Sequence, residues 1–155
     1  MKQTTIGILR VLMGWMFLWA FVDKLLGLGF ATCRDTVTQT VTYMCSSAWL
    51  KGGSPTTGFL KFAVKGPFTD YFHSLIGNPM IDWLFMIGLV SIGLTLLFGV
   101  LVRLGSLAGV IMMLLMYAAG SIWPTNNPFL DDHIIYAVLL IGISQNYPGW
   151  FRWKS

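Results

Sequence analysis

The sequence predicts an all-α membrane protein, a bundle of four transmembrane helices with a large outer loop that contains short interfacial helices. Three observations predict it. Hydrophobic residues fill 55% of the 155 positions and charged residues only 10%, with a mean hydropathy of +0.70, where a soluble domain carries roughly 25% charged residues. Three uncharged runs, at 83–102, 104–130 and 134–151, each approach or exceed the ~20 residues that take a helix across the hydrocarbon core. A fourth apolar stretch, 4–30, is interrupted only by Arg10, Asp23 and Lys24. The expected membrane helices are therefore 5–30, 80–102, 104–123 and 131–149, with the outer loop at 31–79. The chain, 1–155, is then expected to be one integral membrane domain, with almost no length for a separate soluble one apart from that loop.

Charge sets the orientation. A net charge of +4 comes from dispersed bases that form no Lys/Arg stripe, so nucleic acid is not a partner. If both termini share one side, Lys2, Arg10, Arg103, Arg152 and Lys154 lie there without an acid. All six acids, Asp23, Asp35, Asp70, Asp82, Asp131 and Asp132, then fall on the other side. Lys24, Arg34, Lys51, Lys61 and Lys65 supply as many bases to the loop side. The short Arg103 turn and the basic C-terminus carry more weight, because long loops translocate with little regard to charge. The expected placement is a plasma membrane, with cytoplasmic termini and an extracellular or periplasmic loop.

In the first helix, Lys2 and the apolar 11–22 stretch resemble the start of a signal peptide, but no small-x-small cleavage site follows Val22 and an uncleaved helix is expected. Arg10, Gly14, Phe17, Phe21 and Lys24 recur on one helical face. Arg10 and Lys24 are about 21 Å apart along the axis, so both can snorkel toward opposite interfaces. Asp23 is too short to snorkel and needs a partner, either Lys24 or a group on another helix.

The outer loop opens with Cys33 and Cys45, the only cysteines. Their spacing is far from Cys-x-x-Cys and from a zinc site, and on the oxidising side of a membrane a structural disulfide is the default, with a redox role as the alternative. Ser54-Pro55 and Gly66-Pro67 read as starts of short helices with proline in the first turn. Phe68, Tyr71, Phe72, Leu75 and Ile76 then define an amphipathic helix ending at Gly77, suited to the bilayer surface or to a lid on the bundle. Arg34, Lys51, Lys61 and Lys65 make the loop electropositive, which suits an anion; solvated, lipid-facing lysines are the plainer reading.

Asn78-Pro79 starts the second membrane helix, with Asp82 and Trp83 at the interface. After the Arg103 turn, Gly105 and Gly109 form a small-xxx-small pair for close helix contact. Met112, Met113, Met116 and Tyr117 give the third helix a soft core face. Trp123-Pro124 ends it, and Trp150, Arg152, Trp153 and Lys154 anchor the far end of the fourth.

Polar and ionisable groups run directly into the last apolar segment at 127–136, Asn-Pro-Phe-Leu-Asp-Asp-His-Ile-Ile-Tyr. Asn126 or Asn127 reads as a helix cap, Pro128 as a first-turn residue, and the aspartates as complements to the helix dipole. On a helix, Asp132 and His133 also lie four and three residues before Tyr136, so an acid, an imidazole and a phenol cluster at one helix end. Such groups in a membrane helix mark function as readily as capping.

Taken together, the Arg10-to-Gly14 start, Asp23-Lys24, Gly-Ser-Pro-Thr-Thr-Gly-Phe-Leu at 53–60, Gly66-Pro67-Phe68, the 99–103 turn and 127–136 resemble the DoxX/DoxD-like membrane protein family over nearly the whole chain. The resemblance implies the membrane subunit of a thiosulfate:quinone oxidoreductase, which joins two thiosulfates into tetrathionate and passes the electrons to quinone. On that reading Asp132, His133 and Tyr136, with Asp23 and Lys24 opposite, bind quinone and relay protons. Arg34, Lys51, Lys61 and Lys65 gather the dianion. The expected partners are lipid, quinone, a second oxidoreductase subunit or further copies of the chain. No haem, iron–sulfur, dinucleotide or metal motif supplies an electron path, which also fits a non-catalytic anchor or assembly factor. Transport lacks the repeat symmetry or broken helix that would recommend it.

Overall fold

The computed structural model describes residues 3–35, 37–120, 122, 124 and 127–147. Six α-helices follow in order: α1 (Gln3–Leu26), α2 (Thr57–Phe62), α3 (Thr69–His73), α4 (Pro79–Phe98), α5 (Val102–Gly120) and α6 (Asp132–Asn146). Among the described residues there is no strand, only an isolated antiparallel bridge between Arg34 and Val41. Three helices, α1, α4 and α5, are long and apolar enough to cross a membrane. The 15 described residues of α6 rise about 22 Å, short of the ~30 Å hydrocarbon core. The expected extension to 149, like the anchors Trp150, Arg152, Trp153 and Lys154, lies outside the described residues.

The helices bundle in chain order, α1 against α4 and α5 against α6 most extensively, α4 against α5 less so, and α1 against α6 along the sparsest seam. The face of α1 that the spacing marks out is the one turned to α4. Gly14 permits the crossing, since a Cβ there would stand 2.7 Å from the Leu97 nitrogen, and one at Gly93 would stand 2.9 Å from the Leu18 nitrogen. The small pair on α5 serves two neighbours: Gly105 makes room for Thr95 of α4 and Gly109 for Leu140 of α6. Met86, Leu89, Ile92, Leu96, Met113, Leu140 and Ile143 fill the centre. Leucines and isoleucines such as Leu12, Leu84, Ile87, Ile111, Leu115 and Ile141 are exposed outside. This outward apolar belt suits contact with lipid.

Several boundaries differ from the sequence reading. The first helix ends at Leu26, not 30, because Gly27 turns left-handed (φ 66°). The second ends at Phe98, where Gly99 (φ 74°) caps it and donates to the Thr95 carbonyl. Asn78 caps its start by accepting from the Met80 nitrogen at 3.0 Å, with Pro79 in the first turn as expected. In the loop, α2 and α3 begin two residues after Pro55 and Pro67 rather than on them, and the 68–76 pattern is helical only over Thr69–His73 before turns run to Gly77.

Arg10 does not simply snorkel. Its Nη1 donates to the Leu96 carbonyl, and to that of Leu97 at 3.3 Å, and its guanidinium lies over the Tyr147 ring at 5.6 Å. A cation thus satisfies the orphan carbonyls at the negative end of α4. Arg10 and Arg103 therefore stand at the end of the bundle away from the loop, and the acids stand at the loop end.

Candidate functional site

The loop folds over one end of the bundle as a cap held at three places. At the first, Asp23 is only 2% exposed. Its carboxylate accepts from the backbone nitrogens of Phe30 (3.1 Å), Ala31 (2.9 Å) and Thr32 (3.0 Å). The partner that Asp23 needs is thus neither Lys24 nor another helix, but the loop just beyond its own helix. A carboxylate is the right group there, because it offers several lone pairs to converging N–H donors.

Beyond that nest the Cys33–Cys45 disulfide closes a hairpin, with Cα atoms 5.7 Å apart. Thr42 donates to the Cys33 carbonyl (3.1 Å) and Met44 to that of Gly27 (3.1 Å), tying the hairpin to the end of α1. At its tip, Asp35 accepts from the nitrogens of Thr38 (2.7 Å) and Val37 (2.8 Å). These bonds, led by that from Thr38, hold its carboxyl below the ordinary carboxylate value.

The second attachment is Asp82, 8% exposed. Its Oδ1 accepts from Thr56 Oγ1 (2.5 Å), Ser54 Oγ (2.8 Å) and the Thr56 nitrogen (3.3 Å). Ser54 Oγ in turn accepts from the Thr57 nitrogen at 3.1 Å, so the start of α2 and the start of α4 share one polar network. Sequence reasoning placed Asp82 at an interface and missed these partners. The Ser-Pro-Thr-Thr run held the signal, a set of hydroxyls with nothing local to bond.

The third attachment is apolar. Leu60 and Val64 pack on Ala119 of α5, flanked by Phe59, Phe72 and Leu75, and the Lys65 nitrogen donates to the Ala119 carbonyl at 2.9 Å. The loop helices are thus a lid on the bundle.

Asp131, His133 and Asp132 occupy the same end, at the start of α6. The cap of this helix is Asp131, whose Oδ1 accepts from the Ile134 nitrogen at 3.2 Å. Asn127 instead folds the preceding turn, accepting from the nitrogens of Phe129 (3.2 Å) and Leu130 (3.1 Å), so Pro128 stands outside the helix. Asn126 lies outside the described residues. The other oxygen of Asp131 stands 2.7 Å from His133 Nδ1. An ionised Asp131 only accepts, which puts the proton on Nδ1 and orients the ring. Asp132 Oδ1 is 3.5 Å from the same nitrogen, with its side chain 66% exposed. Helical spacing could not reveal the Asp131–His133 pair, because a cap residue is not yet helical and its side chain folds back over the first turn.

One ligand atom from each of Asp131, Asp132 and His133 lies within 4.8 Å of the others, so these three could hold a metal ion. Tyr136 packs against the bundle core one turn on. The structure brings His133 to Asp131 and Asp132, and Asp23 to the loop nitrogens. Lys24 faces the Phe85 ring of α4 at 5.9 Å.

The expected anion collectors are dispersed in role. Arg34 donates from Nε to the Gly29 carbonyl (2.6 Å) and from Nη1 to Gln39 (3.4 Å), bracing the hairpin. Lys61 lies over the ring of its neighbour Phe62, and Lys51, Lys61 and Lys65 are exposed.

Fold and site together define a class: an all-helical protein with, among the described residues, three helices long and apolar enough to cross a membrane and a disulfide-braced lid over one end. No family model, curated protein or solved structure matches the chain.

Proposed function

We propose that the protein is a DoxX/DoxD-like plasma-membrane protein of four spans, α6 being the fourth, and that it is the membrane subunit of a sulfur-compound:quinone oxidoreductase. The observation that carries this reading is the 2.7 Å Asp131–His133 pair at the loop end of the bundle. A carboxylate-oriented imidazole can serve as a general acid or base. Joining two thiosulfates through a new S–S bond releases two electrons, which a quinone takes up together with two protons. Once protonated from water by way of exposed Asp132, His133 would donate from Nε2 to one quinone oxygen and hand over that proton, while Asp131 holds the Nδ1 side of the ring. Tyr136 lies one turn deeper, on the side where an apolar quinone ring would rest. A second subunit would supply the electron path.

The test is thiosulfate-dependent reduction of a quinone analogue by the protein purified from its membrane. Replacing His133 by Ala should lower the rate by roughly a hundredfold. Unchanged rates in both His133→Ala and Asp132→Ala would remove the site assignment.

A second reading is a non-catalytic anchor or assembly factor. It is favoured by Asp23 and Asp82, two buried acids given over to fastening the lid. Co-purification of a soluble oxidoreductase from native membranes, unaffected by His133→Ala, would support it over catalysis.

A further inference from the structure

We propose that Lys24 is the seat of a small oxyanion at the loop end of the α1–α4 seam, with thiosulfate and a lipid-headgroup phosphate as two sources of the same chemistry. Lys24 is half-buried in the last turn of α1, its Nζ 5.9 Å from the centre of the Phe85 ring. An ammonium carries three donors and no acceptor. An aromatic face attracts its charge without taking up those donors. Among the described residues, no oxygen hydrogen-bonds to this ammonium and no carboxylate stands at ion-pair distance.

The natural partner is next door and engaged elsewhere. Asp23 attracts Lys24 electrostatically, but its two oxygens are turned to the Phe30, Ala31 and Thr32 nitrogens. Those three N–H groups disperse the aspartate's charge and leave the ammonium with donors to give. Lys51, Lys61 and Lys65 are exposed, so water competes for any anion they attract. Lys24 is the more sheltered cation, and an oxyanion there would gain more from each charge-assisted bond. The choice of thiosulfate as a probe rests on the function proposed above. The seat itself is read by binding, so thiosulfate bound to the chain, with no thiosulfate-dependent quinone reduction even in the preparation that retains any partner subunit, would overturn that function and leave the seat standing.

The experiment uses the full chain in nanodiscs of phosphatidylcholine, with thiosulfate titrated by calorimetry and by tryptophan fluorescence. Trp83, two residues before Phe85, packs edge-on against Trp49 at 4.7 Å and serves as the reporter. Wild type and Lys24→Arg should bind, and Lys24→Met should bind roughly ten- to a hundredfold more weakly with unchanged helix content. In a second arm, native mass spectrometry from nanodiscs containing phosphatidylglycerol reads lipid retention. Retention that depends on Lys24, without thiosulfate binding, assigns the seat to lipid phosphate. Equal behaviour of wild type and Lys24→Met toward both probes, or no binding of either by wild type, overturns the proposal. Should Lys24→Met fail to insert, Lys24→Gln takes its place.

Discussion

Thr56 and Asp82, 26 positions apart, are joined by a 2.5 Å hydrogen bond that fastens the lid to the first turn of α4. Both residues are buried, and Thr56 gives its hydroxyl to Asp82 instead of capping α2. Replacing Asp82 by Ala strands the hydroxyls of Ser54 and Thr56 and should cost about 1–3 kcal/mol. Denaturant unfolding in detergent measures the loss, and limited proteolysis at 52–66 should quicken ahead of global unfolding. Unchanged cleavage there would show that the apolar contacts at Ala119 hold the lid unaided.

Asp23 should be costlier. Asp23→Ala leaves three loop N–H groups without their acceptor, a loss of about 3 kcal/mol. Because the nest stands at the root of the Cys33–Cys45 hairpin, the variant's disulfide should be reduced faster by a mild thiol. Asp23→Asn, which keeps an acceptor oxygen, should fall between the two.

Gly14→Ala should separate α1 from α4, since the added methyl meets the Leu97 backbone at 2.7 Å and backbone cannot yield. A penalty of about 1–3 kcal/mol is expected. Gly142→Ala is the control, with nothing within 4 Å of the new Cβ. There the better helix former should leave stability equal or raise it by up to about 1 kcal/mol. Thermal unfolding of the two variants side by side decides the matter.

The hairpin tip should respond to acid in a defined direction. Asp35 has a folded value below the ordinary 3.8, held there chiefly by the Thr38 nitrogen. Its ordering of the turn is therefore complete above 3.8 and is lost as pH falls through the lower folded value. The amide resonances of Val37 and Thr38 should titrate with a midpoint below 3.8, and should be flat over that range in Asp35→Asn.

Much of this was legible in the chain because apolar length and period are local properties. Runs of uncharged residues located α4, α5 and α6, an apolar stretch broken by three charges located α1, and the Arg10-to-Lys24 spacing located the α4-facing side of α1. Helix ends were legible where a side chain bonds its own turn, as at Asn78-Pro79. They were misread where two signals competed: Asn127 and Asp131 are both cap residues, and the one beside the apolar run prevailed. The site was legible only as a polar stretch.

What the sequence determined alone, then, is a helical chain with spans able to cross a membrane, acids gathered at one end, and two cysteines in the loop at that end. Tertiary structure decided who partners whom. Asp23 takes backbone nitrogens rather than Lys24, Asp82 takes hydroxyls from 26 residues away, and His133 takes Asp131 rather than a neighbour at helical spacing. The reason is physical. Burial obliges a carboxylate to find donors, but which donors arrive is set by how the loop packs on the bundle, and no local pattern encodes that. Lys24 is the remainder of that arrangement, a cation whose adjacent acid was claimed by the fold.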